Sequence, residues 1–471
     1  MNYSRLNIFF VFVAFCAITT TSCTKSFLDV PVTREVITED YVVDLASANE
    51  LLNGTYFLIA RDVYDGTVTA YPDILSDNLK NIGGLMPMQY NWAMIASESD
   101  EYSNNMNGLW LDGYNIIRSC NFLIENIDKF RSENPTVADG IKGQAYALRA
   151  LVHFNLVNVF AQPYSYSANA THPGIPYDTI YAQSQQIKRQ TVSEVYMHII
   201  DDMNRAKQLI PASANSQSVF NVVAIKAFLA RVYLFEGNFR AANALSLEVA
   251  SIISIMPNTD YPLKLFTPED RESLFWLAPA TPANSGFTFF QGGYLAQTNF
   301  FSATSDLVNA IREHPSDLRN AWFKDTAGIY QVSKFPVNAI AGIINPRIAY
   351  YQPVIRASEV LLIAAETYAQ LGNGDSAIYY LDLIRKRADD TALPTIANGS
   401  ALLDAIYLER RKELCFENMR LFDLLRLKKD IDRKDVNNPA PAKLPFPNNK
   451  AVAPIPLTDV RTLGLEQNAG Y

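Results

Sequence analysis

Proton transfer and metal binding near neutral pH depend most on histidine, and this chain has four, at His153, His172, His198 and His314, scattered without ligand-like spacing. His153 and His198 fall in helical patterns, where a hydrogen-bonded structural histidine is the expected role. The nucleophile elbow G-x-S-x-G, the phosphate loop, H-E-x-x-H and G-x-G-x-x-G are all absent. Carboxylates are plentiful and a glycosidase needs only two of them flanking a bond, but no segment singles out such a pair. Cys120 and Cys415 sit among apolar neighbours as small hydrophobes without metal-ligand spacing, and sequence leaves open whether they pair. The richest charged run is LERRKELCFENMRLFDLLRLKK from Leu408 to Lys429. Arg410, Glu413 and Glu417 are expected to pair along one helical face, and Arg420, Asp423 and Arg426 to form a second set. Asn418 reads as a helix break, since Asn tolerates the left-handed conformation. These are helix-packing ion pairs rather than a catalytic centre. The expectation is a chain with no catalytic residue, no metal and no cofactor.

The elements that must position any binding residues are helical. Trp110, Tyr114, Ile117, Cys120, Ile124 and Ile127 form one apolar stripe, and Ala145, Leu148, Leu151, Phe154 and Leu156 another. A helix is expected over Val192 to Leu209, with an N-cap at Gln190-Thr191 and a stop at Pro211. Two segments resemble one another, Val222 to Ser251 and Ala357 to Ala388. Each has a helix with small alanines, a turn at Gly237 or Gly372, then a second helix with alanine at Ala241 or Ala377. That is the logic of a tetratricopeptide-like helix hairpin, with the glycine supplying a left-handed helix end. The two glycines are too far apart for a tandem array of about 34 residues, so long insertions interrupt the hairpins. Residues 61–107 and 256–356 are the irregular stretches, rich in Pro, Gly, Asn and aromatics. Irregular segments on a rigid scaffold are where binding residues usually sit. The tail from Asn437 to Pro456 is expected to be extended over the surface.

The chain has 471 residues, 49% hydrophobic and 19% charged, the balance of a folded globular protein. Its 40 Lys and Arg against 48 Asp and Glu, without a long basic run, set nucleic acid aside. Arg5 precedes the apolar run Ile8 to Ile18, and TTTSC then ends at Cys23. Eleven apolar residues rise only about 16 Å as a helix, too short to span a bilayer and suited to an export signal. Residues 1–22 read as a lipoprotein signal peptide and Cys23 as the acylated new N-terminus, although Thr20 stands where a Leu-like residue is usual.

In order along the chain, Cys23 with SFLDVPV, LWLDGYNIIRSCNFLIENI (109–127), GQAYALRALVHFNLVNVFAQPYS (143–165), GIPYDT (174–179), the stretch ending at Pro211, the two hairpins, ERRKELCFENMRLFDLLR (409–426) and PIPLTDV with the closing EQNAGY resemble the SusD/RagB family of nutrient-binding lipoproteins. Asn418 stands where the family commonly has glycine, and Gly464 replaces a proline often seen near the end. The resemblance implies a mainly α fold in which tetratricopeptide-like hairpins carry long irregular insertions, as a single domain over 23–471. It also implies outer-membrane attachment at the cell surface, a SusC-like TonB-dependent transporter as partner, and capture of an oligosaccharide without chemistry. Ligand residues in the family come from the early irregular region and the middle insertion, which points here to Asp77, Asn78, Tyr90 and Trp92 with Tyr294 and Trp322. Tyr and Trp offer rigid faces for sugar C–H groups, while carboxylate and amide groups take hydroxyls. Capture of a peptide or another nutrient, and a tetratricopeptide-like protein adaptor, are the alternatives.

Overall fold

The computed structural model describes residues 41–64, 67–83, 93, 106–182, 187–277, 301–335, 339–340, 343–344, 351–435 and 442–471. Within them the chain is mainly helical. The N-terminal half contains α1 (Leu45–Leu58), α2 (Thr67–Ile74), α3 (Asn107–Asn126), α4 (Pro135–Phe160), α5 (Val192–Leu209), α6 (Val222–Glu236) and α7 (Phe239–Ala250). The C-terminal half adds α8 (Ser305–Arg312), α9 (Ala357–Gln370), α10 (Gly374–Ala388), α11 (Gly399–Leu414), α12 (Arg420–Arg426) and α13 (Leu457–Leu463). None of the described helices is long and apolar enough to cross a membrane.

The helix ends follow from local chemistry. Asn134 caps α4 by accepting from the Val137 N–H, and Pro135 occupies the first turn, where its missing N–H costs nothing. Thr191 and Glu194 cap α5 reciprocally, and Ile210 turns extended just before Pro211. The helix expected there is the helix observed. From Ala145 to Leu156 every residue of α4 is buried, so it runs through the centre with α3 and α5 on its flanks.

Both expected hairpins form, with the same turn. The Asn238 N–H bonds to the Tyr233 carbonyl and that of Asn373 to the Tyr368 carbonyl, both 2.8 Å. Gly237 and Gly372 take φ of 84° and 83°. Asn238 and Asn373 then cap α7 and α10. One detail differs: the small residue buried in the first hairpin is Ala242, while Ala241 is half-exposed and serves the cap, so Ala242 is the counterpart of Ala377. Far apart in sequence, the hairpins meet in space. Helix α7 packs on α9, and Asn243 donates to Thr367 across the joint at 3.0 Å.

The stretches expected to be irregular hold the short strands. These are β1 (Leu79–Asn81), β2 (Ser273–Leu277), β3 (Phe301–Ala303), β4 (Phe323–Thr326), β5 (Ile329–Val332), β6 (Ala339–Ile340), β7 (Ile343–Ile344) and β8 (Gln352–Arg356), with β9 (Ile431–Asp432) and β10 (Lys443–Leu444) following α12. They form an antiparallel sheet of order β1-β3-β5-β4 and the pairs β2-β8, β6-β7 and β9-β10. The tail departs in part from its expected place on the surface: most of 442–450 is exposed or half-exposed, whereas 451–456 are buried. Ala451, Val452, Ala453 and Ile455 are buried, and the Ala453 N–H bonds to the Val159 carbonyl of α4 at 2.8 Å, because this run is apolar enough to complete the core.

Candidate ligand-binding site

Asp77 and Asn78 lie immediately before β1, and the fold draws both inward. Asp77 is gripped by Arg420 through both oxygens at 2.7 Å, with Arg411 at 3.4 Å. Burial pushes its carboxyl up, but Arg420 and then Arg411 outweigh it and hold the group at about 2. Asn78 donates to Asp73 at 2.7 Å and accepts from Arg411 at 3.0 Å. Burial pushes Asp73 up to about 6 against the hydrogen bonds from Asn78 and the Phe416 N–H. Trp322 is only 2% exposed, edge-on to Tyr261 with the Lys334 ammonium 4.1 Å from its ring centroid. Asp77 and Asn78 therefore share one buried cluster with Arg411 and Arg420, and Trp322 is buried against Tyr261 and Lys334. Tyr90, Trp92 and Tyr294 fall outside the described residues, as does Cys23.

What the described residues do fix is where the aromatic insertions are rooted. Strands β1 and β3 pair antiparallel with Asn81 opposite Phe301. The chain leaves β1 toward Tyr90 and Trp92 at the same rung at which it enters β3 after Tyr294. Thr304 reinforces the joint by bonding the Asn78 and Asp77 carbonyls, and Asp435 ties Lys80 to the Ser305 N–H.

The interior also holds a buried lattice of charge. Glu413 accepts from Arg356 at 2.8 Å, Arg387 at 2.5 Å and Tyr261 at 2.9 Å, with Arg319 at 3.3 Å. Burial opposes its ionisation, yet Arg387, Arg356 and Arg319 hold it well below the ordinary carboxylate range. Glu272 meets Arg387 and Arg356, Glu417 meets Arg356 and Lys334, and Glu409 meets Arg319. These contacts correct the pairing expected along one helix face. Arg410 joins Asp423 at 2.8 Å and Arg420 joins Asp77, while Asp423 and Arg426 do pair as expected. Arg410 and Glu413 both lie within α11 but are drawn to Asp423 and to Arg356 and Arg387, and beyond Leu414 the chain turns through positive φ at Phe416 and Asn418, which takes Glu417 out of the i, i+4 register. Among the described residues no three His, Cys, Asp or Glu side chains are grouped to hold a metal ion. Cys120 and Cys415 are both free and buried.

A separate cleft of about 270 Å³ opens between α3, the segment after Pro176 and α13. Trp110 and Tyr114 stand on its α3 side, and Tyr177 lies stacked on His153, centroids 3.8 Å apart. Burial drives His153 well below its ordinary pKa. Its Nε2 accepts from the Asp178 N–H, so Nδ1 donates to the Arg149 carbonyl. This is the structural histidine the sequence suggested. Sequence reading missed the cleft, although exposed Leu111, Asn115 and Arg118 interrupting the α3 stripe were its visible trace.

Comparison with known proteins follows the same lines. Residues 26–234 match a family described as starch-binding and associating with the outer membrane, and residues 287–471 match the SusD family. SusD-like protein P2 of Formosa agariphila is 25% identical, the alignment covering 83% of this chain and 85% of that protein. A SusD superfamily protein of Bacteroides thetaiotaomicron superposes with a TM-score of 0.81 at 25% identity, over 90% of this chain and all of that one. A Bacteroides vulgatus protein described as sugar-binding gives 0.82 at 24% identity, over 92% and 99%. With family matches over 26–234 and 287–471, a relative aligned over most of its length and a shared fold, the chain belongs to the SusD family.

Proposed function

We propose that this protein captures an oligosaccharide at the cell surface and passes it, unaltered, to a SusC-like TonB-dependent transporter in the outer membrane, to which it is tethered through a lipid on Cys23. The observation that carries this reading is the pairing of Asn81 with Phe301, which roots the two aromatic-rich insertions at one rung of one sheet. Tyr90, Trp92 and Tyr294 are the ring platforms in this account. Asp77, Asn78 and Trp322, each engaged inside the fold, support the sheet from below. A capture site of this kind works by stacking and hydrogen bonding on a preformed surface, and needs no titrating acid or nucleophile. The buried lattice around Glu413 supplies that rigidity. Family membership and the sugar-binding description of a structural neighbour point the same way. The test is binding to a panel of polysaccharides by affinity electrophoresis. At least one should retard the wild-type protein, and Trp92→Ala or Tyr294→Ala should lose most of that retardation without loss of folding. No retardation by any glycan would refute the reading.

A further inference from the structure

We infer that the cleft between α3, the segment after Pro176 and α13 is a second binding site, shaped for one or two rings of a neutral sugar. The choice of sugar rests on the proposed glycan function, and the site itself rests on the following geometry. The wall rings are fixed, with their polar atoms already used. Trp110 Nε1 donates to Asp459 at 2.8 Å, the Tyr114 hydroxyl to the Pro176 carbonyl at 2.7 Å, and the Tyr177 hydroxyl to Asp202 at 2.6 Å. Trp110 and Tyr177 are buried and back the wall, so the ring face left to a ligand is that of half-exposed Tyr114.

Around the mouth the situation is reversed, because polar groups there are unspent. The Arg118 guanidinium has no ion-pair partner within 4 Å among the described residues; it lies 4.8 Å from the Tyr181 ring centroid and near enough to Asp178 to favour its ionised form. Asp178 accepts from the Ile180 N–H at 3.0 Å through one oxygen, and among the described residues no donor reaches the other. The exposed Asn115 side-chain amide has no hydrogen-bond partner among the described residues. Burial raises the Asp178 pKa, as expected of a carboxyl short of donors. A donor fork, an acceptor and an amide beside fixed rings suit the hydroxyls and C–H faces of a sugar. Formal charge selects the class further. Arg118 and Lys188 are balanced by Asp178 and Asp459, so the site is matched to a neutral ring rather than a uronate. The volume admits a ligand at the small end of the usual range. None of the lining residues belongs to the sheet of β1 and β3, so the two sites are independent.

Saturation-transfer NMR on the full chain with maltose, cellobiose, xylobiose and N-acetylglucosamine, and with digalacturonate as the charged control, tests this. At least one neutral sugar should give a signal that persists in Trp92→Ala and falls at least fivefold in Asn115→Ala and Arg118→Ala. Both of the latter positions are exposed, so the variants should melt as the wild type does. The site is overturned if no neutral sugar gives a signal, if digalacturonate binds better, or if the signal disappears in Trp92→Ala and survives in the cleft variants. Loss of polysaccharide capture with retained cleft signal would instead count against the sheet-borne site alone.

Discussion

Single residues in this protein matter most where charge is buried. Removing one partner from a dry ion pair leaves the other charge without water or counter-ion, which typically costs about 3–5 kcal/mol. Glu413 faces three arginines, so Glu413→Ala should lose at least that much, read as a lower urea midpoint. Lys226→Ala breaks only an exposed pair with Glu248 and should change stability by less than about 1 kcal/mol. The two neighbouring aspartates respond to pH in opposite senses. Asp77, held at about 2, contributes stability that is complete above the ordinary carboxylate value of 3.8 and is lost as pH falls through 2. Asp73, raised to about 6, keeps a proton in the folded state that the unfolded chain has released, so its effect lowers stability as pH rises from about 4 to 6. Two units correspond to about 3 kcal/mol. The isosteric Asp73→Asn should remove this decline, which denaturation midpoints at pH 4, 5, 6 and 7 would reveal. Little of this was legible in the sequence. The charged run of 408–429 was visible, but its partners Asp77, Arg319, Arg356 and Arg387 come from other segments, and no local pattern announces them.

At the scale of elements, legibility follows the range of the interactions. Helices α4 and α5 and both hairpins were readable because their caps, glycines and apolar stripes act within a few residues. The short strands were not, since Leu79–Asn81 acquires a partner only from residues more than two hundred positions away. The buried end of the tail was misjudged for a similar reason: its prolines and asparagines suggested surface, whereas the intervening apolar residues close the core over α4. The hairpin turns give a clean test. A Cβ at Gly372 would meet nothing within 4 Å, so Gly372→Ala carries only the left-handed backbone penalty of about 1–2 kcal/mol. At Gly143 a Cβ would come within 2.8 Å of Ile210, between α4 and α5. Gly143→Leu should therefore destabilise by more than Gly372→Ala in the same denaturation series.

At the scale of the whole molecule, the proposed function makes the stacked-helix frame, the buried ionic interior and the β1-β3 strand pair the support for a binding surface. The order of family motifs along the chain carried this architecture into the sequence reading, while the second cleft needed the packing of α3 against segments distant in sequence. Tethering is testable by itself: labelled palmitate should enter the wild-type protein in a bacterial host and not Cys23→Ala. The central claim is capture without chemistry. Its most direct measurement is a calorimetric titration with the glycan that binds best, followed by chromatography of the recovered ligand. The account predicts saturable heat and a glycan of unchanged chain length after prolonged incubation. Shortened products accumulating with turnover, or no saturable binding to any glycan, would contradict it.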